Sequence, residues 1–251
     1  MALFENSWFV AIALNTVLIA AALIAPKKLL TPMGYLHAWL LGVLVWGSLQ
    51  WQGYVVVMFY FVVGVGVTKI GKEIKEAAGI AEGRGGLRGP ENVWGSAIIG
   101  TICALASLFS PETWQLLFFL GYIASFSTKL SDTAASEVGK AYGKRTFLIT
   151  TFRPVPPGTE GAVSLEGTLA GVVASLAIAV VGYAVGMIDG LGIIWCAIAA
   201  FIATNLESVI GATIQEKFDL LTNEVVNIIN TLIGAAVAIS LALLYWSVIS
   251  I

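Results

Sequence analysis

The chain has 251 residues, of which 58% are hydrophobic and only 11% are charged, and its formal net charge is −2. A soluble domain of this size carries about a quarter charged residues. This composition, with a mean hydropathy of +0.91, therefore predicts an integral membrane protein. The 13 basic residues form no stripe, which argues against nucleic-acid binding. A single histidine and two isolated cysteines leave no metal site built on those residue types.

Eight apolar stretches approach the length of about 20 residues that a membrane helix needs. They lie at roughly 7–25, 35–50, 54–70, 93–110, 114–130, 164–188, 192–213 and 227–246. We therefore expect an all-α, polytopic transmembrane bundle that forms a single domain over residues 1–251. Few polar residues separate the second span from the third, or the sixth from the seventh, which predicts two short helical hairpins.

The basic residues divide cleanly between the loops of this eight-span arrangement. Every lysine and arginine falls in or beside the first, third, fifth or seventh loop. By the positive-inside rule these loops face the cytoplasm, and both termini lie on the non-cytoplasmic side. Most acidic residues follow the same distribution, so we expect the functional site to face the cytoplasm.

The third loop, from Lys69 to Asn92, combines a helical pattern with a glycine-rich turn. Lys69 and Lys72 stand at helical spacing, and Arg84 and Arg88 lie among four glycines and a proline. Guanidinium groups and free backbone N–H groups in such a turn can bind phosphate. An anchor for anionic lipid headgroups is an equally good interpretation.

Polar side chains cluster where four spans reach the cytoplasmic side. The end of the fifth span, the start of the sixth, the end of the seventh and the start of the eighth carry the following residues: Lys129, Asp132, Ser136, Glu137, Lys140, Lys144, Glu160, Ser164, Glu166, Asn205, Glu207, Ser208, Gln215 and Asn227. Ionisable groups inside a span cost about 2.5–3.5 kcal/mol on insertion scales. For Asp132 and Glu207 we favour function over helix–helix contact, whereas Ser208 and Asn230 fit both interpretations.

Without histidine, these carboxylates and amides predict an oxygen-ligand site suited to Mg²⁺. Asp132 is the first candidate ligand, and Glu137 or Glu207 is the second. Asp132, Glu137 and Lys129 are the candidate catalytic residues. The candidate substrate and phosphate-binding residues are Lys69, Lys72, Arg84, Arg88, Asn92, Ser136, Lys140, Lys144, Glu160, Ser164, Glu166, Asn205, Ser208, Gln215 and Asn227. The chain contains neither a Walker A motif nor a G-x-S-x-G motif.

Four strings of residues carry a resemblance to a known family. They are TKIGKEIKEAAGIAEGRGGLRGPENV, SDTAASEVGKAYGKR, GTEGAVSLEGT and NLESVIGATIQ. With them the chain resembles the membrane prenyl-phosphate kinases typified by phytyl-phosphate kinase, also called the transmembrane protein 19 or domain of unknown function 92 family. It is more distantly similar to CTP-dependent polyprenol and phytol kinases, although Val163 stands where those usually have lysine and Thr168 where they have serine.

The resemblance implies a magnesium-dependent kinase that converts phytyl phosphate or a related isoprenyl monophosphate into its diphosphate for tocopherol or quinone synthesis. The donor would be a nucleoside triphosphate, with CTP favoured by analogy. The resemblance further implies a cyanobacterial plasma or thylakoid membrane, and a homo-oligomer is compatible with it. A CTP-dependent lipid nucleotidyltransferase and, less favoured, a transporter are the alternatives.

Overall fold

In the computed structural model, which describes residues 6–81, 87–218 and 220–249, almost the whole chain is helical. The helices are α1 (Ser7–Ile24), α2 (Pro32–Thr68), α3 (Lys72–Ala77), α4 (Pro90–Leu108), α5 (Glu112–Tyr142), α6 (Leu165–Ala184), α7 (Gly190–Thr213) and α8 (Asn223–Ile249). A short 3₁₀ turn covers Gln215–Lys217, and strands β1 (Thr146–Leu148) and β2 (Ala162–Ser164) form a small antiparallel sheet. The all-α membrane bundle is confirmed.

The bundle surrounds α5. Within the described ranges, six helices, α1, α2, α4, α6, α7 and α8, are long and apolar enough to cross a membrane. Helix α5 is less apolar because its last third carries lysine and carboxylate side chains. Every residue from Leu120 to Asp132 is buried, so the neighbouring helices shield this polar helix from lipid.

Helix α2 folds back on itself at Gln50, whose backbone is non-helical with φ 53° and ψ −148°. Asn15 of α1 touches residues on both sides of this break. The Tyr54 hydroxyl donates to Asn15 Oδ1 at 2.9 Å, and a Cβ atom on Gly42 would collide with the same oxygen. The two sides of the break therefore lie next to each other.

The break divides α2 into a first arm, 32–49, and a second arm, 51–68. Arg88 lies beside both arms: its carbonyl oxygen would be 2.5 Å from a Cβ on Gly34, and its Nη2 3.4 Å from one on Gly64. In a straight helix these glycines would be about 45 Å apart. The arms thus form the predicted hairpin. Counting each arm separately, the described residues contain eight helical segments of about membrane length: the two arms of α2 and helices α1, α4, α5, α6, α7 and α8.

Helices α5 and α6 cross at very short distance because both present small residues. A Cβ atom on Gly167 would stand 2.5 Å from the Ala135 carbonyl oxygen, and one on Gly171 would stand 2.9 Å from Ser131 Oγ. Small residues allow two helix backbones to touch in a membrane. This contact places the first turns of α6 against the polar end of α5.

The chain between α5 and α6 forms a hairpin that packs against the helices. Thr146 pairs with Ser164 in the β1–β2 sheet, and Phe147 forms a bridge with Pro154. Gly161, at φ +74°, lies against α7, where a Cβ atom would be 2.5 Å from the Ser208 carbonyl oxygen. The hairpin returns the chain to α6 and rests on α7.

Candidate functional site

A polar cavity of about 220 Å³ lies at the end of the bundle where α5 and α7 end and α6 and α8 begin. The hairpin between α5 and α6 covers part of it. Eleven of the predicted site residues line it: Lys129, Asp132, Ser136, Glu137, Lys140, Glu160, Ser164, Asn205, Glu207, Ser208 and Asn227. The four polar span ends therefore meet in one place, as their alternating directions predicted.

The Lys129 side chain in the cavity wall is held by two hydrogen bonds. Its Nζ donates to Asp132 Oδ2 at 2.7 Å and to Asn227 Oδ1 at 2.7 Å. The three-residue spacing on α5 brings lysine and aspartate to one face, and α8 supplies the asparagine. All three residues are buried, so the ammonium group is held by a charged and a neutral oxygen away from bulk water.

Glu137 has a partner that sequence reasoning missed. The Lys75 side chain on α3 forms an ion pair with the Glu137 carboxylate, and both side chains are buried. Lys75 Nζ also donates to the Thr68 carbonyl oxygen at 2.9 Å. No local pattern signals this pair, because Lys75 and Glu137 are 62 residues apart in the chain.

Glu207 is the acid that α7 contributes to the cavity lining. It lies within electrostatic reach of Asp132, Lys129, Glu160 and Lys140. Unlike Glu137, Glu207 has no hydrogen bond or ion pair with another described residue. Of the two predicted candidates for the second acid, Glu207 is therefore the better placed to bind a cation.

The donor set fits Mg²⁺ bound together with phosphates. In the described part of the chain, no group of three or more His, Cys, Asp or Glu residues could hold a metal ion alone. Four carboxylates, Asp132, Glu137, Glu160 and Glu207, line the cavity, and Glu137 among them is already paired with Lys75. Mg²⁺ commonly uses one or two carboxylates and takes its other ligands from water and substrate phosphates.

Three of the predicted cavity residues also stabilise helices. Ser164 caps α6, because its Oγ accepts the Gly167 N–H at 3.1 Å. Asn205 Nδ2 donates to the Phe201 carbonyl at 2.7 Å, and Ser208 Oγ donates to the carbonyl of residue 204 at 3.2 Å. These bonds support a structural role for these side chains beside any contact with a ligand.

Several predicted site residues lie outside the polar cavity. Lys144 and Glu166 are in contact at its edge, where the backbone N–H of Lys144 donates to Glu166 Oε2 at 3.4 Å. Gln215 lies near Gly211 of α7.

Other predicted residues line different cavities. Lys69 and Lys72 line a separate cavity of about 270 Å³ that is rich in lysine. Arg88 and Asn92 line an apolar cavity of about 290 Å³. Arg84 lies outside the described residues.

Comparison with known proteins identifies the family. The family described as "Integral membrane protein DUF92" matches residues 15–235. The chain belongs to the DUF92 family of integral membrane proteins. The family resemblance drawn from the motifs is confirmed, and the matched range contains every residue of the polar cavity.

Relatives of this DUF92 chain occur in bacteria, plants and archaea. It is 68% identical over 234 residues to an uncharacterized membrane protein of Synechocystis, covering 93% of this chain and 91% of the relative. It is 48% identical over 214 residues to the chloroplastic protein VTE6 of Arabidopsis thaliana, covering 84% of this chain but 64% of VTE6. An uncharacterized membrane protein of Methanocaldococcus jannaschii is 32% identical over 232 residues, with 92% of both chains covered. No solved structure matches.

Proposed function

We propose that this protein is a prenyl-phosphate kinase. It transfers a phosphoryl group from a nucleoside triphosphate, with CTP favoured, to phytyl phosphate or a related isoprenyl monophosphate. The product is the diphosphate used in tocopherol or quinone synthesis. The observation that carries the proposal is the polar cavity, where Asp132, Glu207, Lys129 and Lys140 converge at one end of an apolar bundle. The motif resemblance and the 48% identity to VTE6 support it.

The reaction needs charge neutralisation more than proton transfer. An oxygen of the acceptor phosphate attacks the γ-phosphorus of the donor, and the bond to the leaving nucleoside diphosphate breaks with its electron pair. The attacking oxygen is already anionic near neutral pH, so no general base is required. Lys129, held by Asp132 and Asn227, and the nearby Lys140 would neutralise phosphate charge.

Asp132 and Glu207 are the residues that would hold Mg²⁺. When bound, the ion would supply positive charge that offsets the negative charge developing on the phosphates during transfer. Glu137, already paired with Lys75, would shape the wall beside them. In this proposal the cavity faces the cytoplasm, in a cyanobacterial plasma or thylakoid membrane, which suits the relatives from Synechocystis and from a chloroplast.

The test is phosphoryl transfer by purified protein from γ-labelled CTP or ATP to phytyl phosphate. We expect Asp132→Asn to lower turnover by about 100-fold or more, the size of a lost electrostatic contact in the transition state. Glu112→Gln is the matched control: Glu112 is an exposed acid at the other end of α5 and should leave turnover unchanged. Full activity of Asp132→Asn would refute the site.

The mass of the lipid product separates kinase from nucleotidyltransferase. A kinase adds one phosphoryl group to phytyl phosphate, whereas a nucleotidyltransferase would add a nucleoside monophosphate and release pyrophosphate. A CMP-bearing lipid product would overturn the kinase proposal, although the same cavity could also bind the substrates of a nucleotidyltransferase. Counterflow of substrate into liposomes without nucleotide would instead favour transport.

A further inference from the structure

The apolar cavity, which we call the N-terminal cavity, lies between α1, both arms of α2 and α4. Its volume is about 290 Å³, and apolar side chains make up most of its lining. Leu18 and Met58 line it and are 40% and 37% exposed. The cavity therefore adjoins the lipid-facing surface, and a hydrocarbon chain can extend from it into the bilayer.

Two cations, Lys27 and Arg88, line this cavity. Arg88 is held through its backbone: its N–H donates to the Leu29 carbonyl at 3.1 Å, and its carbonyl accepts the Thr31 N–H at 3.0 Å. Its guanidinium group lies against Gly64 of α2. No described residue gives this group a hydrogen bond or an ion pair. A guanidinium group in apolar surroundings is complementary to an anionic ligand, and its forked geometry suits phosphate.

The wall of the N-terminal cavity leads towards the polar cavity. Tyr60 lines the N-terminal cavity and packs on Phe126 of α5 with ring centroids 5.2 Å apart. A Cβ atom on Gly64 would stand 3.9 Å from the Leu130 side chain. The Arg88 guanidinium, which contacts the same glycine, therefore lies close to Leu130, the neighbour of Lys129 in α5.

We propose that the N-terminal cavity binds the isoprenyl chain of the acceptor lipid, with Arg88 holding its phosphate end beside α5. This inference rests on the proposed kinase function and assigns the acceptor to a cavity distinct from the polar one. The volume suits part of a single branched chain, with the remainder in the bilayer, and the one guanidinium suits one phosphate. The polar cavity is then left for the phosphoryl donor.

The chain-binding part is tested by filling the cavity. Ala22 lines it, whereas the adjacent Ala21 is exposed on the same helix and does not. We expect Ala22→Phe to weaken equilibrium binding of labelled phytyl phosphate in detergent, without nucleotide, by about tenfold or more, which is one decade in Kd. Ala21→Phe should bind like the wild type. Equal binding by both variants would overturn the proposal.

The headgroup part is tested by comparing phytyl phosphate with phytol. Arg88→Gln should remove most of the preference of the protein for the phosphate-bearing lipid, while binding of phytol stays the same. Arg153→Gln, which changes an exposed arginine in the hairpin between α5 and α6, should keep the preference. Inorganic phosphate that competes fully with phytyl phosphate would show recognition of the free anion alone and would overturn the lipid assignment.

A measurement on the wild type guards against variants that fail to fold. Phytyl phosphate with a photoreactive group on its chain should label α1 or the second arm of α2, identified by mass spectrometry. Labelling confined to other helices would overturn the proposal. If the lipid binds as expected but no phosphoryl transfer occurs, the kinase function fails and the binding site stands. If phosphoryl transfer occurs but Ala22→Phe binds phytyl phosphate normally, the kinase function stands and the proposed binding site fails.

Discussion

Two lysines of this membrane protein, Lys75 and Lys129, are buried with 1% and 8% of their surface exposed. Each donates to a carboxylate and to a second oxygen, so each ammonium group is compensated where it leaves water. Removing charges from water costs several kcal/mol per ion, and pairing repays this only with good geometry and additional hydrogen bonds. The pairs thereby fix α3 and α8 against α5 and hold the cavity wall in one arrangement.

Breaking the pair between Lys75 and Glu137 should be much more destabilising than breaking an exposed pair. Lys75→Met leaves a buried carboxylate without its partner, which costs about 3–5 kcal/mol. Lys72→Met is the control, because its 3.4 Å pair with Glu76 is roughly half exposed and contributes less than about 1 kcal/mol. Thermal unfolding in detergent measures both.

The double variant Lys75→Met with Glu137→Leu removes both buried charges at once. Apolar replacement of a complete buried pair is often neutral, so we expect it to regain most of the stability lost in Lys75→Met. A double variant that is no more stable than Lys75→Met would contradict this interpretation of the pair.

At the scale of elements, the motif residues divide into two groups with different roles. Ser131, Ala135 and Gly139 stand four apart on one face of α5 and meet Gly167 and Gly171 of α6. These small residues set the distance between the two helices, while the neighbouring acids and lysines face the cavity. Gly139, Gly167 and Gly171 of the motifs are therefore explained by helix packing, and Asp132, Glu137 and Lys140 by their place in the cavity lining.

Gly167→Ala should disturb this crossing, because its Cβ atom would stand 2.5 Å from the carbonyl oxygen of Ala135. Overpacking of this kind costs about 1–3 kcal/mol, and the displaced helix should also lower phosphoryl transfer. Gly66→Ala is the matched control, since no atom lies within 4 Å of its Cβ position, and alanine favours a helix. Equal unfolding temperatures for Gly167→Ala and Gly66→Ala would show that the close contact between α5 and α6 does not restrict the residue at position 167.

At the scale of the whole molecule, the helix order places all four polar span ends on one side of the bundle. The loop charges predict that this side faces the cytoplasm. Crossing direction alternates along the chain, so one loop assigned to a side fixes the others. The orientation of the protein can therefore be tested with two positions separated by a single span.

Cysteines introduced at Arg145 and Gly190 should be labelled from opposite sides of the membrane. Both positions are exposed, and α6 lies between them. An impermeant maleimide should reach Arg145→Cys only in inverted vesicles and Gly190→Cys only in right-side-out vesicles. The native Cys103 and Cys196 are buried, so the unmodified protein supplies the background. Labelling of both positions from one side would refute the topology.

The sequence by itself determined the class of fold and the composition of the polar cavity. The bilayer sets the length of a spanning helix, so apolar runs mark the spans, and the gap near Gln50 marks the hairpin in α2. Polar groups inside spans are costly, so Asp132 and Glu207 stood out without any knowledge of their neighbours. Helical spacing alone placed Lys129 beside Asp132.

Only the tertiary structure decided which polar groups are partners and which cations share a cavity. Lys75 and Glu137 are 62 residues apart, and Lys129 and Asn227 are 98 residues apart, so no local pattern relates them. The direction in which a loop folds also depends on packing against distant helices. For that reason Arg88 lines the N-terminal cavity rather than the polar one. Local periodicity specifies which face of a helix is polar, but the distances between faces are set by contacts between helices.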